Sequence, residues 1–574
     1  MPNPTSVTRA LAGVLALALI AASCTGGESG GDDTVAPTVS SSEVAASSTV
    51  SSGATTPDGS TTVPEKVPQE LVDGAFFADG PPVHIDPYQA VSIGEVEVAS
   101  LMFNGLTDVV TNNGVTTVVP AVAESWTASE DSKQFTFTLR NNLTFSNSER
   151  VLPSAFLRGW DMAADPERVA PFAHLLSIID GYDEVEAGRA EHLLGVQVDD
   201  GAMTITVRLS QPYADFPTRV SHVAFSPMPE ARTAAEEAGT WETGMLIGNG
   251  PYVLSGGFDP KQFTLTLRTD RTEVGGLAKV TFRSFDDAEA SAKAFGAGEV
   301  QTTLAFSSDD LAGGALSPLL QTYSWVFGMG DGSALAGADK ALLRQAIAMS
   351  IDRSAIVSEA MDGLGIVAAG LTPPGAVGYA PSTCTTCRFD IDAAKSLLEQ
   401  YRSGGGEVPD SIVVVSAEDN DTDERAAKIV VEGLKDLGLK TDVQSLPSSE
   451  LASELATGSC PGLCRAGWIW DEASYDNGLV EPFGSAGIGA TNIGHYESAA
   501  FDAAIAAARG VADPAARAAA YRAAEALVVE QDAAVVPLAW SVNELVAAPQ
   551  VQGLTVDALG RVAFDVVTIA ATAR

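Results

Sequence analysis

Five histidines, five cysteines and a run of spaced aspartates are the residues here whose types could do chemistry. The histidines, His84, His174, His192, His222 and His495, are scattered, and no two stand four apart around a glutamate, the spacing that sets two imidazoles on one helix face for zinc. Asp419-x-Asp421-x-Asp423 imitates the start of a calcium loop. However, Glu424 takes the position where the sharp turn needs glycine, and Val430 the position of the bidentate glutamate. The run therefore reads as a polar loop before a helix. Gly27-Glu28-Ser29-Gly30-Gly31 has the spacing of a nucleophile elbow without the strand and helix that strain such a serine. No glycine-rich loop ends in Lys-Ser or Lys-Thr to cradle a phosphate. The sequence thus predicts a protein that is not an enzyme, with no catalytic residue, cofactor or metal.

The cysteines carry a different message. Cys384-x-x-Cys387 and Cys460-x-x-x-Cys464 allow three pairings, and their short spacings favour two local disulfides, Cys384–Cys387 and Cys460–Cys464, in an oxidising compartment. A four-thiolate zinc site is the alternative, and it requires two distant pairs to meet. Redox work by Cys384-x-x-Cys387 lacks the strand–helix context of a thioredoxin-type site.

The fifth cysteine, Cys24, points to a location. Arg9, the apolar stretch Ala10 to Ala22 and the small residues ending at Cys24 have the layout of an export signal, too short to span a bilayer. Ile20-Ala21-Ala22-Ser23-Cys24 resembles a bacterial lipobox, with Ala21 where leucine is commoner. That resemblance implies a diacylated Cys24 anchoring the protein to the outer face of the cell membrane. From Thr25 to about Lys66 there is no Leu, Ile, Met or aromatic residue, so this stretch cannot bury enough surface to fold and reads as a tether. About forty residues of flexible coil reach roughly 35 Å.

The remainder is long enough for more than one hydrophobic core, since the chain has 574 residues. With 45% hydrophobic and 19% charged residues it is globular in composition. A net charge of −41 makes nucleic acid a poor partner, because phosphates are bound by neutralising cations. Gln134–Arg140, Met203–Leu209 and Phe263–Arg268 alternate with the period of half-buried strands. Ile391, Ala394, Leu397, Leu398 and Tyr401 share a helix face behind Asp390 as N-cap, and Asp513-Pro514 opens an alanine-rich helix running towards Val529. Ser411–Val415, a helix over Ala426–Leu437 and Lys440–Val443 read as a strand, a helix and a parallel strand. The class is α/β.

Several segments, in order, resemble the family 5 extracellular solute-binding proteins. They are Ile85-Asp86-Pro87, Leu101-Met102-Phe103-Asn104-Gly105-Leu106, and Pro120 to Trp126 followed by Phe135 to Arg140 and Phe145, with Ser148 replacing the usual turn glycine. Gly248-Asn249-Gly250-Pro251-Tyr252, Leu343-Arg344-Gln345-Ala346, Ile351-Asp352-Arg353, Pro373-Pro374-Gly375, Gly378-Tyr379, Phe389-Asp390, Gly467-Trp468 and Phe501-Asp502 follow. The resemblance implies a two-lobed periplasmic-binding-protein-like fold of type II with an added insert domain. It places a first lobe over 67–107, 211–308 and 540–574, the insert over 108–210 and a second lobe over 309–539. It also implies a monomer that captures oligopeptides or dipeptides, or a nickel chelate or sugar, and delivers them to the permease subunits of an ABC importer, or reports them as a sensory lipoprotein.

Site residues follow from the same resemblance. In Arg465-Ala466-Gly467-Trp468-Ile469-Trp470-Asp471, Asp471 matches the aspartate that pairs with a peptide's ammonium group, and a carboxylate in a water-poor cleft is a strong partner for one. Arg465 matches a position that receives a ligand carboxylate, which suits a planar guanidinium. Trp468 and Trp470 would wall the cleft, with Tyr252, Asn249 and Trp325 nearer its edge or hinge. Glu472 stands where tyrosine is commoner.

Overall fold

Three sheets of four or more strands organise the described residues of the computed structural model. It describes residues 69–570 apart from 76–79, 113, 242–245, 272–275, 312–315, 382–383, 457–459 and 565. Cys24, the export signal, the tether and the Gly27–Gly31 stretch lie outside the described residues.

The first sheet has four strands in the order Glu70–Asp73, Lys279–Arg283, Gln262–Leu267 and Tyr252–Ser255. Phe263, Leu265, Val280 and Phe282 point into its core, and the Phe263 and Phe282 rings stack at 5.2 Å. The second sheet is antiparallel: Ala123–Ala128, Gln134–Leu139, Thr204–Arg208 and Val196–Asp199. Phe135, Phe137, Leu139, Ile205 and Val207 fill one face, as period-two alternation requires. Because this sheet falls between the two halves of the first, the chain leaves the first lobe and re-enters it. Residues near the C-terminus rejoin that lobe, where the Val562 amide donates to the buried Glu97 carboxylate at 2.8 Å.

The second lobe is organised by a six-stranded mixed sheet. Its order is Ile366–Val367, Val535–Val542, Pro318–Phe327, Leu463–Ile469, Ile412–Ala417 and Thr441–Leu446. The last two strands run parallel, joined by the helix Asp421–Asp436, so the expected crossover is present. That helix starts five residues before Ala426. Asn420 caps it by accepting from the Asp423 amide, and Asp421, Asp423 and Glu424 suit the positive end of the helix dipole. Of the spaced aspartates, Asp419 lies in the bend before the helix, and Asp421 and Asp423 fall in its first turn. The boundary expected at 540 falls inside a strand, since Val542 still stands opposite Pro318. The two chain crossings between lobes then lie side by side, Thr302–Leu304 pairing antiparallel with Leu545–Ala547.

Charged side chains, buried almost completely, join the lobes. Arg219, from the first lobe, donates to both oxygens of Glu472 at 2.8 to 3.2 Å, with side-chain exposures of 5% and 0%. The Tyr213 hydroxyl donates to Glu472 at 2.6 Å, and its ring lies under the Arg219 guanidinium. Asp476 takes Arg509 at 2.6 Å, and Arg517 reaches back to Asp215 at 2.8 Å. Removing one partner from such a network leaves an uncompensated buried charge, which costs about 3–5 kcal/mol. Glu472→Ala should therefore lower the melting temperature sharply while Glu230→Ala, whose arginine pair is exposed, should leave it within a degree or so. Differential scanning calorimetry of the two variants checks this.

Candidate functional site

The strand Leu463–Ile469 ends at the junction of the lobes, and the two residues after Trp470 turn opposite ways. Glu472 enters the buried network, whereas Asp471 faces a small cavity of about 70 Å³. Val91, Ile93, Phe172, Ile469 and Leu559 give this cavity apolar walls, while His222, Ser221 and Arg561 supply polar edges. Ser100, Ser221, Val223 and Arg561 are shared with a larger cavity of about 650 Å³, enclosed by Phe103, Asn104, Tyr252, Asp108, Asp557 and neighbouring residues. The combined space is of the size that encloses small organic ligands.

Asp471 is held from behind. Its amide donates to the Asn477 Oδ1 at 3.0 Å, the Asn477 amide group donates to the Asp471 Oδ2 at 3.2 Å, and the Trp468 indole donates to the same Asn477 oxygen at 3.4 Å. Asn477 is fully buried on the helix Tyr475–Phe483, so it fixes carboxylate and indole together. His174 also approaches Asp471, its Nε2 3.7 Å from the Asp471 Oδ2. Burial raises the Asp471 carboxyl, but His174, His222 and Asn477 outweigh it and hold the group below the usual carboxylate range. His174 is the counterpart: burial opposes its charge, and Asp471 and Glu481 overcome that and raise it. Burial pushes His222 down to about 4.

The other expected residues are distributed differently. Trp470 lines the small cavity, yet its indole rests on Gly478, where a Cβ would collide with the ring. Arg465 does not reach the Asp471 cavity. Its Nε donates to Asp423 at 2.6 Å and its guanidinium lies 3.8 Å from the Tyr323 ring centre, which occupies it inside the second lobe. Trp325, opposite Arg465 in the sheet, is fully buried in that lobe's core. Tyr252 lines the larger cavity while its hydroxyl donates to the Leu277 carbonyl at 2.8 Å. Asn249 clasps the Asn104 backbone through two hydrogen bonds of 3.0 and 2.9 Å and so shapes the cavity wall. Disulfides join Cys384 to Cys387 and Cys460 to Cys464, the second clipping the start of the strand that leads to Asp471. Among the described residues no group of three His, Cys, Asp or Glu is arranged to hold a metal ion.

A cavity between two α/β lobes, walled on the second-lobe side by Ile469, Trp470 and Asp471, agrees with what sequence comparison finds: a family model for bacterial extracellular solute-binding proteins, family 5 Middle, matches residues 117–490. The chain belongs to the family 5 solute-binding proteins. The periplasmic murein peptide-binding protein MppA of Escherichia coli is 28% identical over 504 residues, 84% of this chain and 90% of that one. The periplasmic oligopeptide-binding protein OppA of the same organism is 25% identical, over 82% of this chain and 87% of its own. The unliganded open form of MppA superposes with a TM-score of 0.74 over 88% of this chain and 98% of its own, at 25% identity. The fold is accordingly the two-lobed periplasmic-binding-protein architecture.

Three residues of this family 5 protein's site were not legible in its sequence. His174 and His222 stand 48 positions apart and share no spacing pattern, and Asn477 sits among ordinary helix residues. The pH behaviour of the ligand-free protein follows. His222 has its folded value depressed, so its neutral form's stabilisation is complete above the unfolded value near 6.5 and lost as pH falls towards 4. By pH 5 the loss reaches about 2 kcal/mol. His174, raised, works the other way, its contribution being present below 6.5 and lost as pH climbs through its folded value. His222→Phe should therefore flatten the fall in melting temperature between about pH 7 and 5, and His174→Gln should steepen it.

Proposed function

We propose that this protein is the extracytoplasmic receptor of an ABC importer and captures short peptides by their free amino terminus in the cavity between its lobes. The observation that carries this reading is the Asp471 carboxylate, kept ionised in a largely apolar cavity and braced by Asn477. A carboxylate so placed is a strong partner for an ammonium group, since a charge-assisted hydrogen bond contributes about 1.5–3 kcal/mol. Family membership and the peptide-binding relatives support it. The flat apolar walls beside Asp471 tolerate many side chains, which suits recognition through a shared terminus. Trp470 extends those walls while Trp468 braces Asn477 behind Asp471, and Tyr252 and Asn249 shape the larger space in which the rest of the ligand lies. Arg465 and Trp325 act by stabilising the second lobe.

The protein works as a monomer outside the cytoplasm, as a receptor and not a catalyst. Diacylated Cys24 anchors it to the membrane, and residues 25–66 tether the body within reach of the permease. The acidic chain, at net −41, favours cationic ligands over polyanions. Calorimetric titration with tri-alanine and with N-acetyl-tri-alanine tests the reading. Binding of the first, with a loss of about 10- to 100-fold on acetylation or on Asp471→Asn, is expected. Equal binding of both peptides would remove Asp471 from recognition, and binding only of ligands without an amine would turn the assignment to another solute; relatives include a deoxycholate-binding and a heme-binding protein.

A further inference from the structure

His174 stands at Asp471 in an arrangement that is only half made. Its Nε2 lies 3.7 Å from the carboxylate, within ion-pair range but beyond a good hydrogen bond. Its Nδ1 is buried with no hydrogen-bond partner among the described residues. The ring is held by packing, with Phe172 at 6.2 Å, which in turn meets His222 edge-on at 4.5 Å. The groups facing His174 are Asp471 at the strand end, Glu481 on the Tyr475–Phe483 helix, and, from the first lobe, His222 and Arg219. Arg219 is taken up by Glu472. The His222 Nδ1 accepts from the Ala224 amide, which fixes that ring as a neutral acceptor. Burial raises the Glu481 carboxyl above its ordinary range. His174 is therefore the group suited to balance Asp471 when the cavity holds no ligand.

We propose that His174 is the resident counter-ion of Asp471, that the ammonium group of an incoming ligand takes its place, and that His174 gives its proton to water in the exchange. This rests on the reading that Asp471 receives an ammonium group. The charges balance: one cation leaves the carboxylate as another arrives, the imidazolium N–H bond breaks, and the neutral imidazole stays in the wall. Three consequences follow from linkage. Capture of a cationic ligand releases up to one proton. Affinity rises with pH, by up to about tenfold per unit, below the point where the free protein's His174 titrates, and is level above it. A ligand without a cation leaves the His174–Asp471 pair intact and shows no such dependence.

Two measurements on the full chain decide this. In the first, the histidine ring signals of the ligand-free protein are followed by NMR against pH, with His174→Gln and His174→Asn identifying the His174 signal. It should titrate above the ordinary imidazole value near 6.5, and below it when Asp471→Asn removes the partner. Titration at or below the ordinary value in the unsubstituted protein, or no change with Asp471→Asn, would overturn the pairing. In the second, tri-alanine is titrated calorimetrically at neutral pH in phosphate and in Tris, whose different ionisation heats count released protons. Proton release that vanishes in His174→Gln, together with an affinity made level across about pH 5.5 to 8, is the expected result. Binding without release would overturn the exchange. Absence of any heat from tri-alanine would count against the peptide reading, while the ring titration still decides the pairing.

Discussion

A carboxylate taken out of water must be given a cation or be neutralised by a proton, and the junction between the lobes is arranged around that constraint. Burial alone would raise Asp471, yet the surrounding groups keep it ionised. One of these, Asn477, presents an amide from within the second lobe and so is fixed whether or not the lobes move. The other, His174, approaches from the first-lobe side. Asp471 is thus the point at which the electrostatics of the cavity and the relative position of the lobes become one problem.

The neighbouring residue solves the complementary problem. Glu472, on the opposite side of the chain, accepts from Arg219, Tyr213 and Ser474 and is buried away from the cavity. Buried ion networks of this kind contribute specificity of arrangement more than net stability, because desolvation offsets much of the attraction. Here the network sets the approach of Tyr213, Asp215 and Arg219 to the second-lobe segments carrying Glu472, Asp476 and Arg517. Two adjacent acids therefore divide the work, one fixing the lobes and one left open to a cation.

Much of this architecture was legible in the sequence. Strands with clean alternation, such as Gln134–Leu139 and Gln262–Leu267, were read within a residue or two, and Asp390 and Asp513 cap the helices assigned to them. The helix after Ile412–Ala417 was read five residues short because its first turn is acidic; charge at a helix start resembles a loop until Asn420 is recognised as the cap. Site residues were harder to read for a different reason. Asp471 lies in a local motif, but His174, His222 and Asn477 meet it only through tertiary packing, and no spacing rule relates them. Arg465 shows the converse case: a local pattern suggested a ligand partner, whereas Asp423, 42 positions earlier, supplies a nearer one. Local patterns record elements, and long-range pairs decide which charges are left for a ligand.

The most direct test of the central claim is native mass spectrometry of the full chain, purified without refolding from a host that exports it, because a closed two-lobed receptor holds its ligand through gentle purification. The account predicts bound masses corresponding to short peptides with a free amino terminus, absent from Asp471→Asn purified in the same way. A retained ligand that carries no amine, or peptides retained equally by Asp471→Asn, would contradict it.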